Sequence, residues 1–188
     1  MFSCEAPQEE VFDMSDILPS SERDYDAVDT VRVTGSDDSL LQSFNSNGFS
    51  FDAAELVSKK LLPSRFGPDS SYTVQLISNA DTLFFHYWIY SDSSKVMNAF
   101  YNWIDCFGSN CKSFHIGEER NYQMNAMHIL VGDKKLIYLE GEELDFNKWY
   151  AYCDSIGADN DWSYAIEQRK KGRSRWFRFE EGKKVKYQ

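Results

Sequence analysis

One order of patterns occurs twice in this chain, and it constrains the fold more than any single residue does. Tyr72 to Ile77 and Thr82 to Tyr90 are runs rich in β-branched and aromatic residues around the turn-forming Ser78-Asn79-Ala80-Asp81. Behind Asp92, Val96, Ala99, Phe100, Trp103 and Phe107 recur at helical spacing, and Gly108 stands where a left-handed C-cap belongs. Ala126 to Val131 and Lys134 to Glu140 then form a second hairpin around Gly132-Asp133. Phe146, Trp149, Tyr150, Cys153 and Ile156 follow on one helical face, ended by Gly157. The strand-turn-strand-helix (ββα) order reads as a weak internal repeat, although chance similarity between two short amphipathic units explains it equally well. It predicts an α+β fold: an antiparallel sheet with its helices packed on one face.

The flanks extend this layout. Residues 1–26 contain Pro7, Pro19 and a polar run with no sustained hydrophobic period, and read as an acidic flexible tether; 27–188 read as a single α+β domain. Val28 to Val33 resembles a strand. Ser36 or Asp37 can cap a short helix carrying Leu40, Leu41 and Phe44, which stops at Asn45-Ser46-Asn47-Gly48. Asp52 followed by Glu55 resembles a capping box, and predicts a helix through Leu56, Val57, Lys60 and Leu61 that Pro63 closes. The end reads as a C-terminal β-meander: Ser163 to Gln168, Arg175 to Glu180 and Lys183 to Tyr187. At 188 residues the chain can bury a real core, and an aromatic content of 16% favours a sheet for those rings to pack on. No apolar run approaches the roughly 18 residues needed to cross a bilayer.

Charge is divided between the two ends. The net charge is −10, yet Arg169 to Lys186 is dominated by bases while the first 26 residues hold Arg23 as their sole base. An acidic protein is a poor general binder of nucleic acid, which is therefore not an expected partner, although a local basic face can still hold an anion. Cys106 and Cys111 flank a turn-rich spacer and are a disulfide candidate in an oxidising compartment; in cytosol they would be two thiols.

Phe2-Ser3-Cys4, a small residue before a near-terminal cysteine with a polar tether behind it, resembles the cleavage site of a bacterial lipoprotein whose signal helix has been cut away. Gln8-Glu9-Glu10 is similar to the acidic sorting signals of surface-exposed lipoproteins. The resemblance implies a lipid anchor on Cys4 and a cell-envelope location, periplasmic or surface-facing. The alternative is an ordinary cytosolic start with an incidental cysteine.

Several groupings could carry chemistry, and each has a plainer reading. Cys106, Cys111 and His115, with Cys153 or His128, suit zinc by ligand type, but no second knuckle exists and no metal is expected. His86 and His128 lie in strands; on one sheet face they could flank a cleft as acid and base, though such residues more often belong to a core. Glu118-Glu119, Glu140, Glu142-Glu143, Asp145, Asp159 and Asp161 include pairs that could serve glycosidic hydrolysis, with loop solvation as the simpler account. Arg175, Trp176 and Arg178, with Lys184 and Lys186 across the next turn, interleave bases with an aromatic ring and form the best binding-surface candidate. Alternation would place Trp176, Arg178 and Glu180 on one side and Phe177 and Phe179 on the core side. The plainer reading is an edge hairpin protected from aggregation by its charges.

No phosphate loop, nucleophile elbow, paired-histidine zinc helix or dinucleotide fingerprint occurs, and no cofactor is implied. The leading expectation is a non-enzymatic, lipoprotein-like binding or assembly protein of the envelope, touching the membrane only through its lipid and acting on a protein or glycan. A cytosolic acidic adaptor or immunity-type inhibitor of a basic partner is the alternative. A hydrolase using a carboxylate and histidine pair is a weaker one, and would need a concave pocket joining His86 or His128 to acids.

Overall fold

The computed structural model describes residues 32–36, 38–59, 61–62, 64–79, 81–105, 115–156 and 161–187. The tether (1–26), Cys4, and the Cys106 and Cys111 pair lie outside these residues. Among the described residues nine strands and three α-helices follow one another, with a 3-10 turn at Ser64–Phe66 between β2 and β3: β1 (Arg32–Ser36), α1 (Asp38–Ser46), β2 (Ala53–Ser58), β3 (Ser70–Ile77), β4 (Thr82–Ile89), α2 (Ser93–Asp105), β5 (Ala126–Gly132), β6 (Lys135–Gly141), α3 (Phe146–Ile156), β7 (Trp162–Gln168), β8 (Ser174–Glu180) and β9 (Lys183–Lys186). All nine strands form one antiparallel sheet in the order β1-β2-β3-β4-β6-β5-β7-β8-β9. The α+β class and the C-terminal meander are thus as expected, and the ββα order does occur twice along the chain.

The helices begin where a side chain can satisfy their free amides. Asp92 Oδ1 accepts from the Lys95 amide at 2.9 Å, and Asp145 Oδ1 accepts from the Lys148 amide at 3.1 Å. α1 ends at Gly48, whose φ of 82° is the left-handed conformation that a C-cap glycine adopts without a Cβ clash.

Two findings correct the expected layout. The helices do not share one face. α1 and α3 pack on one side, where Phe44 lies 5.7 Å from Phe85 and 4.9 Å from Tyr152, and Trp149 lies 6.0 Å from Phe85. α2 packs on the other, where Trp103 meets Trp88 at 5.3 Å and Tyr138 at 4.8 Å, and Phe100 meets Trp176 at 6.1 Å. Each side therefore has its own hydrophobic core. The physical cause is visible in the central strands: every residue of β5 is buried, as is nearly all of β6. A strand covered on both faces needs apolar residues at odd and even positions alike.

The second correction concerns Asp52 to Leu61. Its capping-box pattern is helical, but Ala53 to Ser58 is strand β2, paired with β1 on one side and β3 on the other. A helix this short has little stability of its own, whereas two neighbouring ladders satisfy both edges of the segment. The Asp52 amide already donates to Ile77 O at 2.8 Å, which starts the ladder one residue early.

Candidate functional site

The register of β3, β4 and β6 sets Thr73, His86 and Tyr138 side by side in one row on the α2 face. Thr73 Oγ1 stands 2.9 Å from His86 Nδ1, and the imidazole stacks on the Tyr138 ring at 5.3 Å. One turn of the pleat away on β6, Glu140 receives Lys59 Nζ at 2.5 Å and the Tyr138 hydroxyl at 2.8 Å. His86 Nε2 is 3.9 Å from the same carboxylate, an electrostatic contact rather than a hydrogen bond. Burial works against the charge on Glu140, but the polar contacts with His86, Lys59 and Tyr138 outweigh it and hold the carboxyl down to about 2. Hydroxyl, imidazole and carboxylate stand in the sequence that nucleophilic catalysis uses. Here, however, Thr73 and His86 are buried, and the carboxylate is neutralised by Lys59.

His128 lies on the opposite face, so the two strand histidines do not share a cleft. Its ring meets Phe146 of α3 edge-on at 5.5 Å, and neither ring nitrogen has a hydrogen-bond partner among the described residues. Burial, with a smaller contribution from the Lys184 charge, takes its pKa down to about 3, so the ring is neutral. Its neighbour across the ladder, Glu167, is buried and held by Lys184 Nζ at 2.6 Å and Arg175 at 3.4 Å.

The other sequence candidates disperse. His115 is exposed on a loop, and Cys153 is a free thiol in the α3 core whose pKa burial pushes up. Among the described residues no group of three metal-binding side chains comes together. Trp176 leaves the proposed binding surface: it is 1% exposed, and its indole nitrogen donates to Glu118 O at 2.9 Å. Alternation did put it opposite Phe177, but both sides of the sheet are covered, so neither side of β8 is simply solvent. The cations of that surface are answered locally. Arg175 and Lys184 share Glu167, Arg178 pairs with Glu180 at 2.8 Å, and Lys186 pairs with Glu119 at 2.9 Å.

Two features had no sequence counterpart. Gln168 is buried and clips the segment before β5 to β7: its Oε1 accepts from the Tyr122 amide at 2.7 Å and its Nε2 donates to Gln123 O at 2.6 Å. An open hollow of about 590 Å³ lies between the α1–β2 loop and the β3–β4 turn, lined by Asn45, Phe49, Ser50, Phe51, Asp52, Ser78 and Asn79. Neither histidine nor its glutamate lines it. No helix among the described residues is long and apolar enough to cross a membrane.

The chain matches no family model, no curated protein and no solved structure. What it does has to be argued from its own residues.

Proposed function

We propose that this chain is a non-enzymatic binding or assembly protein of the cell envelope, held there by a lipid on Cys4 and acting through surface contacts with a protein or a glycan. The observation that carries this reading is where the polar groups point. Thr73, His86, Tyr138, Glu140 and Lys59 engage one another inside the fold, while the charges left for contact are on loops and turns. The lipobox-like start and the acidic stretch after it supply the tether in this reading.

Labelled fatty acid fed to the native host tests it. The label is expected on the chain, and is expected to disappear in Cys4→Ser together with the membrane-bound fraction. An unlabelled chain that fractionates with the cytosol, with Cys106 and Cys111 as reactive thiols, overturns it.

One observation favours a second reading. Asp81 Oδ2 accepts from the Glu142 amide at 2.9 Å and the Glu143 amide at 3.4 Å, so exposed Glu143 and Asp145 are gathered at one end of the sheet beside Glu142, which pairs with Lys170. An acidic end of this kind suits a cytosolic adaptor or inhibitor of a basic protein, and such binding would weaken steeply with salt.

A further inference from the structure

The turn between β7 and β8 carries charge that is only partly answered, by an attraction between Arg173 and Glu119. Arg169, Lys171 and Arg173 are exposed and make no ion pair among the described residues. The acids around them are already engaged: Glu142 by Lys170, Glu167 by Arg175 and Lys184, Glu118 by Arg120, and Glu119 by Lys186. On a chain of net charge −10, this turn is a local cationic tip.

The backbone holds that tip in an unfavourable conformation. Gly172 N donates to Arg169 O at 2.8 Å, and Lys171 sits at φ 57°, a left-handed conformation in which its Cβ is crowded and a glycine would not be. Gly172 cannot simply exchange places with it, since a Cβ at 172 would meet Arg169 O at 3.1 Å. Lysine thus stands where glycine would be the easier choice for folding. The Lys171 amide also donates to Met124 O at 2.9 Å, and Met124 is 62% exposed beside the tip. The loop carrying Met124 is clamped by Gln168 through the backbone of Tyr122 and Gln123.

We infer that this tip seats the protein on anionic phospholipid headgroups, with Arg169, Lys171 and Arg173 against the phosphates and Met124 entering the headgroup layer. Three cations on one turn, with no aromatic ring beside them on which a base could stack, favour headgroup phosphates over a nucleic-acid strand. A protein partner needs roughly 800 Å² of matching surface with aromatic anchors, and the turn has no aromatic residue. A headgroup layer can be met by a tip alone, and each cation near an anionic leaflet raises partitioning about fivefold. In the cell this contact presupposes the envelope reading and would orient the anchored domain.

The test does not presuppose it, because it uses the unacylated chain and vesicles. Flotation with phosphatidylcholine vesicles, with and without phosphatidylglycerol, is expected to show binding to the anionic vesicles alone, and loss of that binding at high salt. Lys171→Gly is expected to weaken it about fivefold while melting at or above the wild-type temperature, which separates a lost contact from a lost fold. The triple variant R169E/K171E/R173E is expected to abolish it. Absence of binding, equal binding to pure phosphatidylcholine, or wild-type binding by both variants overturns the inference. Tighter capture by polyglutamate or single-stranded DNA at the same salt also overturns it, since the partner would then be a protein or a nucleic acid. A Cys4 that takes no label would sink the anchor and leave this measurement intact.

Discussion

His86 and His128 stand on opposite faces of one sheet, both wholly buried, and their surroundings could hardly differ more. His86 has a hydroxyl at 2.9 Å and sits in a row that ends in an ion pair. His128 is walled by Phe146 and strand neighbours, with no partner for either ring nitrogen among the described residues. The same residue type in the same kind of strand is a member of a polar network on one face and a neutral filler on the other. The difference lies in what reaches each ring: on the α2 side Lys59, Tyr138 and Glu140 come together beside His86, whereas on the α3 side Phe146 meets His128 edge-on and its ladder neighbour Glu167 is taken up by Lys184 and Arg175.

This contrast predicts unequal responses to acid and to substitution. The largest effect belongs to His128. Its folded pKa of about 3 lies below the unfolded value of 6.5, so the unfolded chain takes up the proton first. Stability should therefore fall as pH drops from about 6.5 toward 3, by up to about 5 kcal/mol from this one group. His128→Leu should remove that loss in urea unfolding measured at several pH values and keep full stability at neutral pH. An unchanged acid slope in the variant would remove the contrast between the faces.

Glu140 comes next. Its carboxyl is held at about 2 against an ordinary 4.5, so its contribution is present above about 4.5 and is lost as pH falls through 2. That contribution is about 3 kcal/mol. Glu140→Gln should cost a similar amount by leaving Lys59 without its carboxylate, while the double variant K59M/E140L should recover most of the loss. If the double variant is no better than the single one, the ion pair is not what holds this part of the face.

Thr73→Val should cost about 2 kcal/mol, because His86 Nδ1 loses the hydroxyl beside it in a buried site. A loss below roughly 0.5 kcal/mol would mean that the two histidines are equally indifferent to partners. The smallest effect is expected for Tyr138→Phe, about 1 kcal/mol, together with an upward movement of the Glu140 titration that carbon-detected NMR can follow. A titration that stays in place would detach Tyr138 from the network.

Much of this architecture is legible in the residues. Asp92 and Asp145 announce α2 and α3, since each caps its helix through its own side chain. The meander shows in the short β-rich runs after Trp162. Double coverage of the sheet is also written in β5 and β6, where Met127 to Val131 and Leu136 to Leu139 are almost continuously apolar; the alternation of the outer strands hides it. β2 was not legible, because Ala53 to Ser58 suits a helix by local propensity and is a strand only between two others. The candidate sites divide in the same way. Both histidines and the run Arg169 to Arg173 stand out in the sequence, but their partners do not.

The sequence by itself determined most of the segments: where α2 and α3 start, which runs pair into the two hairpins, and that the chain ends in a meander. Those outcomes rest on periodicity and capping within a few residues. Only the tertiary structure decided that α2 crosses to the other face, that Trp176 is core, and that Arg175 is paired while Arg169 is not. Each of those depends on neighbours far along the chain, as with Lys59 and Glu140, 81 positions apart, or Trp176 and Glu118, 58 apart. Which charges pair, and which residues of the outer strands are covered, belong to the packed sheet and lie beyond any local pattern.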